Sequence, residues 1–359
     1  MKKRIFAASL TLAMTAGLAA CSSSAPATTA APAAPATTPA VAAATAAAAE
    51  TKAPETTAAS AETYDLIWAG TSASSGYYAL NVALCDVINS HVDGVHVTLM
   101  ETGGTVDDYK LMSTGEASFG QTSIVNQYCL QNDCGIYEGF GYKGALDLCF
   151  FVPQAYRFVV TTESGVTKPE ELQGKKYNAG LAGSSSEVES MNILGAIGVE
   201  PDWYPASTSE ALDAISNRQI IGFTKSGTTL SPDSTITNLQ SSADIQILSF
   251  SDEQVQKINE LYPYYGFDKV DCSDYGLDYE VNTYCARFGF CVSEDVPDDV
   301  AYRIVKAFDE YQDEIRAAYP GIIDDPIAFT GEATVMSKIH PGVLKYMEEK
   351  GINVPEERK

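Results

Sequence analysis

The sequence predicts an α/β fold built as two lobes, and three observations carry that expectation. From Tyr64 onward, short apolar runs alternate with segments of helical periodicity, the pattern of parallel strands joined by crossovers. One device occurs twice: a strand, a turn of glycine and small hydroxyl residues, then a helix. It is seen at Ala69-Gly70-Thr71-Ser72-Ala73-Ser74-Ser75-Gly76-Tyr77-Tyr78 and again at Gly180-Leu181-Ala182-Gly183-Ser184-Ser185-Ser186. About 300 residues are available for folding, enough for two cores.

The chain of 359 residues opens on a targeting segment. Lys2, Lys3 and Arg4 form a basic start, and Ile5 to Leu18 an apolar run that is short for a bilayer span. Leu18-Ala19-Ala20-Cys21, followed by Ser22-Ser23-Ser24, places small residues before a cysteine. That is the pattern of a bacterial lipoprotein signal, so residues 1–20 read as the leader and Cys21 as the lipidated mature N-terminus, a membrane anchor. Residues 21–61 are mostly Ala, Pro, Thr and Ser; they lack the aromatic and branched side chains a core needs and read as a disordered tether. Losing Lys2, Lys3 and Arg4 with the leader takes the formal charge from -24 to -27. Such a chain is a poor partner for nucleic acid, and an anionic ligand must be held by local groups against the overall field.

The elements follow in order. Tyr64 to Ala69 is a buried strand, and Tyr78, Leu80, Val82, Leu84, Val87 and Ile88 recur at helical spacing behind it. Ser75 is a candidate cap for that helix. Val95 to Met100 is a second strand, turning through Glu101-Thr102-Gly103-Gly104-Thr105 into a helix over Asp107–Ser113. Ala117 to Gly120 leads through Gln121-Thr122-Ser123 into a helix over Ile124–Leu130. Three successive strand ends thus carry small polar residues, and ligands of open α/β sheets bind at such ends. Ala145 to Phe151 is a long apolar run, followed by a strand at Tyr156–Val160. Tyr177 to Gly180 is a strand and Glu187 to Ile197 a helix ended by Gly198. Ser207 and Glu210 form a capping box before a helix over Ala211–Ser216. Strands at Ile220–Thr224 and Ile245–Leu248, a helix at Asp252–Tyr262, an acidic irregular stretch over Asp268–Thr283 and a strand at Phe288–Val292 come next. Helices at Pro297–Tyr319 and Thr334–Gly351 close the chain.

Seven cysteines follow Cys21: Cys85, Cys129, Cys134, Cys149, Cys272, Cys285 and Cys291. The odd number leaves at least one thiol unpaired in a monomer. Cys129 and Cys134 are close enough for a short-loop disulfide, and Cys272 is within reach of Cys285 or Cys291; Cys85 and Cys149 lie among apolar residues and read as buried thiols. The spacings are not those of a zinc site. Asp271, Asp274, Asp278 and Glu280 lack EF-hand spacing and read as a solvated acidic loop.

Taken together, Gly70-Thr71 with Ser75-Gly76-Tyr77-Tyr78, Glu101-Thr102-Gly103-Gly104-Thr105-Val106, Leu172-Gln173-Gly174-Lys175-Lys176 through Gly183-Ser184, and His340-Pro341-Gly342 with Tyr346 resemble four segments of the TAXI family, the extracytoplasmic solute-binding proteins of TRAP-type transporters. The resemblance spans about Tyr64 to Gly351. Thr105 stands where the family has Ser and Val343 where it has Ala. Gln219 to Phe223 and Gly227-Thr228-Thr229 lack the family's Asp-Ala and Pro, so a segment that the resemblance implies at the ligand departs from the pattern, and specificity is expected to differ from familiar members. The resemblance implies two Rossmann-like lobes joined by a hinge, with a ligand cleft between them, a type II periplasmic-binding-protein-like fold. It divides the chain into a first lobe over 62–160, a second over 161–286 and a return to the first over 287–359.

The resemblance also implies that Thr71, Ser75, Gly76, Tyr77 and Tyr78 line the cleft beside Thr102, Gly103 and Gly104, with Gln121 next to them. Ser184, Ser185 and Ser186 would face them from the second lobe, and Lys225 would supply a cation. Adjacent helical residues cannot both face one groove, so one of Tyr77 and Tyr78 belongs to the core. His340 reads as a structural hydrogen-bonding residue. Helix N-termini and hydroxyls favour a carboxylate-bearing solute, an amino acid such as glutamate or a dicarboxylate. The implied function is capture of that solute and delivery to membrane permease subunits, without cofactor or metal. A receptor for an ABC importer or a sensor kinase would look the same. An enzyme on this scaffold lacks a nucleophile elbow and any His/Asp partner.

Overall fold

The computed structural model describes residues 63–333 and 337–359. The chain divides at Thr57/Ala58, and the described residues all belong to the second unit. The leader, Cys21, the tether and the expected helix start at Thr334 lie outside the described residues. No described helix is long and apolar enough to cross a membrane.

The chain runs β1 (Tyr64–Ala69), α1 (Tyr78–His91), β2 (Val95–Met100), α2 (Thr105–Ser113), β3 (Phe119–Ser123), α3 (Ile124–Asn132) and β4 (Ala145–Thr161). It continues through β5 (Lys176–Tyr177), α4 (Ser185–Ala196), β6 (Asp202–Trp203), α5 (Thr208–Ser216), β7 (Gly222–Thr228), α6 (Ser234–Gln240), β8 (Ile245–Leu248) and α7 (Asp252–Leu261). It ends with β9 (Gly266–Asp271), β10 (Glu280–Ser293), α8 (Asp298–Glu310), α9 (Gln312–Ala318), α10 (Pro326–Gly331) and α11 (Pro341–Glu349).

The architecture is two-lobed α/β. β1 pairs parallel with β2 and β3, and the main sheet runs β2-β1-β3-β10-β4-β7, with β8 added on β4 and β9 on β10. Two long antiparallel strands connect the lobes. The first half of β4 pairs with the end of β10, while its second half, from Gln154 on, pairs with β7 and β8. The β10 register shifts at Phe288/Gly289 and Phe290/Cys291. Gly289 is required there: a Cβ would sit 2.2 Å from the Cys149 carbonyl oxygen.

One core forms around Trp68, Phe119, Phe290 and Phe308 under α1, α8 and α11. Trp68 stacks on Phe119 with centroids 5.0 Å apart, and its indole N–H donates to Asn81 Oδ1 at 2.9 Å. Further cores lie around Tyr156, Phe158 and Tyr284, and around Val159, Phe223 and Ile236.

Several expectations are corrected. Ala145–Phe151 and Tyr156–Val160 are one strand, because both faces of β4 are buried and the chain stays extended through Pro153. The acidic stretch at Asp268–Thr283 is strand at both ends and irregular between them: β9 and β10 pair from Asp271/Glu280 to Gly266/Cys285. Val270 is the buried member of β9 and most of its neighbours face water, so the composition reads as a loop. The expected strand over Tyr177–Gly180 is β5 plus single bridges at Asn178 and Leu181. The long helix at Pro297–Tyr319 breaks at Tyr311, whose ring stacks on His91 at 3.5 Å. The last helix starts at Pro341, where proline's missing N–H costs nothing. His340 caps it: Nδ1 accepts from Gly342 N–H at 3.1 Å, so the neutral ring carries its proton on Nε2 and donates it to the Val296 carbonyl at 3.0 Å. Burial pulls the His340 pKa down, which suits this structural role. The capping box at Ser207 and Glu210 is present. All seven described cysteines are free thiols; Cys291 donates to Gly120 O at 3.3 Å, and Cys272 and Cys285 to Val270 O and Thr283 O, away from one another.

Candidate functional site

Both Gly/Ser turns meet at one place. Gly104 caps α2 with φ 106, a conformation that favours glycine, and a Cβ on it would lie 3.7 Å from Ser184 Cβ at the start of α4. Gly103 lies opposite the Gly183 carbonyl. Between the lobes is a small cavity of about 50 Å³. Ser75 and Tyr77 at the start of α1, Thr105 of α2, Ser123 of α3, Ser184 to Ser186 of α4 and Thr208 of α5 line it. Five helix N-termini therefore converge on one cavity, and no acidic side chain lines it. Each N-terminus carries partial positive charge, and those of α1 and α2 have no side-chain cap, so the site is locally attractive to an anion although the chain is strongly acidic.

Of the residues implicated from sequence, Thr71, Ser75, Tyr77, Gln121, Ser184, Ser185, Ser186 and Lys225 line the cavity. Thr71 is 1% exposed and its Oγ1 has no partner among the described residues. Ser75 is not the expected cap: it accepts from Tyr77 N–H at 3.3 Å within the turn before α1, whose N-cap is Tyr77 and has no side-chain capping bond. Tyr77 stacks on Phe288 at 4.0 Å and its hydroxyl accepts from Gln154 Nε2 at 2.9 Å. Tyr77 thus serves core and cavity wall together, while Tyr78 is half-buried and off the cavity. Ser184 caps α4, accepting from Glu187 N–H at 3.4 Å. Gly76 faces a neighbouring cavity of about 380 Å³, shared with Tyr77, Lys225 and Asp233.

Lys225 is not on the surface. It is buried on β7, with Nζ 3.5 Å from Asp233 Oδ2 and 3.3 Å from the Ser226 carbonyl. Asp233 also caps α6 through Thr235 and Ile236 N–H. The one cation implicated from sequence is therefore already matched by a carboxylate, and sequence reasoning missed Asp233 because it lies in a loop far from the turn motifs.

Thr102 turns its hydroxyl away from the cavity. Its Oγ1 is 2.7 Å from the Gly70 carbonyl and 2.5 Å from Asp108 Oδ1, and it accepts from Gly104 N–H at 3.0 Å. The hydroxyl has one hydrogen and two acceptors in reach, so both contacts are good only if Asp108 carries a proton and donates it to Thr102. Burial independently pushes the Asp108 carboxyl up to about 8, and its other oxygen accepts from Gln121 N–H at 3.0 Å. Asp108 thus anchors the Thr102–Gly104 turn and the Gln121 backbone from beneath. Asp108→Asn supplies the same donor and acceptor. At pH 9 it is expected to melt at or above the parent temperature, while Asp108→Ala loses about 2 kcal/mol by orphaning buried groups. Equal losses in both variants would refute the protonated carboxyl.

Sequence reasoning also missed Gln154 and Tyr156, which alternate toward the cavity from the middle of β4. Gln154 Oε1 has no partner among the described residues. Tyr156 donates its hydroxyl to Glu189, which also accepts from Asn126 Nδ2 at 2.9 Å. Phe223, Thr224 and Ser226 line the wall from the segment that departs from the TAXI pattern. A larger groove of about 700 Å³ lies beside β4 and β10, lined by Pro153, Tyr264, Arg287 and Phe329; of the residues implicated from sequence it holds none.

Among solved structures, the chain is similar to XAC2383 from Xanthomonas citri, solved bound to ATP, with 10% identity over 79% of this chain and 98% of that one and a TM-score of 0.50. Lower similarity is found to a TctC solute-binding protein from Polaromonas (12% identity, 80% and 98% coverage, TM-score 0.45). It is also found to a TRAP periplasmic solute-binding protein from Shewanella oneidensis with bound succinate (12% identity, 72% and 80% coverage, TM-score 0.40). At these identities the likeness is one of fold, and the fold is the type II periplasmic-binding-protein arrangement of two α/β lobes around a cleft. The profile of the NMT1-like family matches residues 68–351, which include the elements of both lobes and every residue named on the cavity, and the chain belongs to that family.

Proposed function

We propose that this protein is an extracytoplasmic solute-binding lipoprotein of a TAXI-type TRAP transporter, anchored through lipid on Cys21, and a receptor rather than an enzyme. It closes its lobes, 62–160 with 287–359 and 161–286, on a small carboxylate-bearing solute and presents the closed form to the permease. β4 and β10 are the hinge strands. Solute that bridges both lobes favours closure by its differential affinity for that state.

The observation that carries this reading is the Thr71 hydroxyl: buried, unpartnered and on the wall of a cavity where five helix N-termini converge. A polar atom in that position is satisfied by a ligand or an ordered water, and the helix ends around it favour an anionic ligand. Lys225 is already matched by Asp233, so the helix ends supply the net attraction, and they suit a single carboxylate group within the cavity, as an amino acid such as glutamate or one end of a dicarboxylate provides.

The test is a thermal-shift and calorimetry screen of the protein, unfolded and refolded to strip retained solute, against amino acids, dicarboxylates, keto acids and sugars. One carboxylate class is expected to raise Tm with the logarithm of its concentration, adding about 2.7 kcal/mol of stability at a hundredfold excess over Kd. Thr71→Val is nearly isosteric and breaks no bond within the protein, so ligand-free Tm should hold while affinity falls about tenfold. Stabilisation by sugars alone, or unchanged affinity in Thr71→Val, would sink the reading.

A further inference from the structure

α3 ends with a cysteine on either side of its last turn. Asp133, with φ 56, is the left-handed residue that stops the helix. In a helix ended this way, the N–H of the following residue reaches back to the carbonyl five residues earlier, and the side chains of those two residues come into contact. Here that bond runs from Cys134 N–H to Cys129 O at 3.0 Å, so both of the residues brought together are cysteines. Gly135 then turns with φ 60, and a side chain on it would lie 3.5 Å from Cys129 Sγ, so the chain folds back over that sulfur. Burial first and then the neighbouring Cys134 thiol raise the Cys129 thiol, which places the two sulfurs beside each other. The remaining described thiols do not compete: Cys85 and Cys149 are buried in another core, and Cys272, Cys285 and Cys291 bond to carbonyls on β3, β9 and β10 or beside them.

We propose that Cys129 and Cys134 close a disulfide that clips the end of α3 to the chain after it, by exchange with a disulfide oxidant such as oxidised glutathione or a thiol–disulfide oxidoreductase. The half-buried Cys134 attacks first as thiolate, breaking the oxidant's S–S bond and releasing one thiol. Cys129 then attacks the Cys134 sulfur and displaces the second thiol. One disulfide is made and one consumed, and the two electrons and two protons leave with the released thiols. Cys129 is buried and its thiol is held above the usual range by that burial, so exchange is slow in the folded protein and fast when the end of α3 frays. The clip lies one turn beyond Asn126, the residue that reaches Glu189 in the other lobe.

Trypsin isolates the pair, because residues 111–143 contain Cys129 and Cys134, no other cysteine and no internal Lys or Arg. The full chain is refolded with excess oxidised glutathione, quenched in acid, alkylated with iodoacetamide under denaturing conditions and digested. The expected peptide is unalkylated and lighter than the dithiol form by two hydrogens. In Cys134→Ser, Cys129 is expected as an alkylated thiol or a glutathione adduct. A wild-type peptide carrying two alkyl groups or two glutathiones, or Cys129 joined to any other cysteine, would overturn the proposal.

Discussion

Replacing Arg358 with methionine is expected to lower stability by about 3–5 kcal/mol, the usual loss when one partner of a buried ion pair is removed. Arg358 is the penultimate residue, yet it is fully buried, and so is Asp147 at the start of β4. Their contact is 2.6 Å, Arg358 Nε donates to Ser337 O at 3.0 Å, and Nη1 donates to the Thr330 and Gly331 carbonyls. The backbone repeats the tie, since Ile339 N–H donates to Arg358 O at 3.0 Å and His340 N–H to Asp147 O at 3.1 Å. Without the guanidinium, the Asp147 carboxylate is left in the core with the Ser337 hydroxyl as its remaining side-chain donor. Thermal melts should show a fall of about 5–8 °C in Arg358→Met, and a similar fall when Arg358 and Lys359 are deleted. The double variant Asp147→Leu with Arg358→Met removes both charges and should lose less than the two single changes added together. A single-variant loss under about 1 kcal/mol, or strict additivity, would show that the pair is not what fastens the C-terminus.

Nothing in the sequence marks this pair. Arg358 stands in the charged run Pro-Glu-Glu-Arg-Lys, and its partner lies in an apolar run more than two hundred residues earlier. What was legible was set locally. The strands with both faces buried and the helices with clear caps could be read because their signals sit within a few residues. The Gly/Ser turns could be read because a close backbone approach restricts residue type, and those turns do meet around one cavity. Side chains that reach the cavity from mid-strand, Gln154 and Tyr156, gave no signal, since a polar residue within β4 looks the same whether it faces a ligand or a neighbouring strand. The roles of Thr102 and Lys225 were decided by Asp108 and Asp233, partners that only the tertiary fold brings beside them.

Glu189 makes the second large prediction, and it concerns pH. Glu189 is 3% exposed on α4, and burial pushes its carboxyl from 4.5 up to about 7. The groups facing it are Asn126 on α3, Tyr137 and Cys129 beside it, Tyr156 on β4, Tyr265 and Tyr284. The tyrosines and the thiol are all held above their ordinary range, hence uncharged, and none offers a compensating cation. The folded state therefore binds a proton that the unfolded chain releases between pH 4.5 and 7. Stability must fall as pH rises through that window and level off above it, by about 3 kcal/mol in all. Glu189→Gln should remove that part of the slope and be the more stable form at pH 8; an unchanged slope would mean that Glu189 is solvated or paired. The Asn126 bond adds a second consequence, because α3 and α4 lie on opposite sides of the cleft in the proposed lobes. If opening wets Glu189, closure takes up the same proton, and solute affinity should rise as pH falls from 7 towards 4.5, by at most tenfold per unit. A stability slope without an affinity slope would place Glu189 inside a part of the fold that does not open, and would move the hinge rather than remove it.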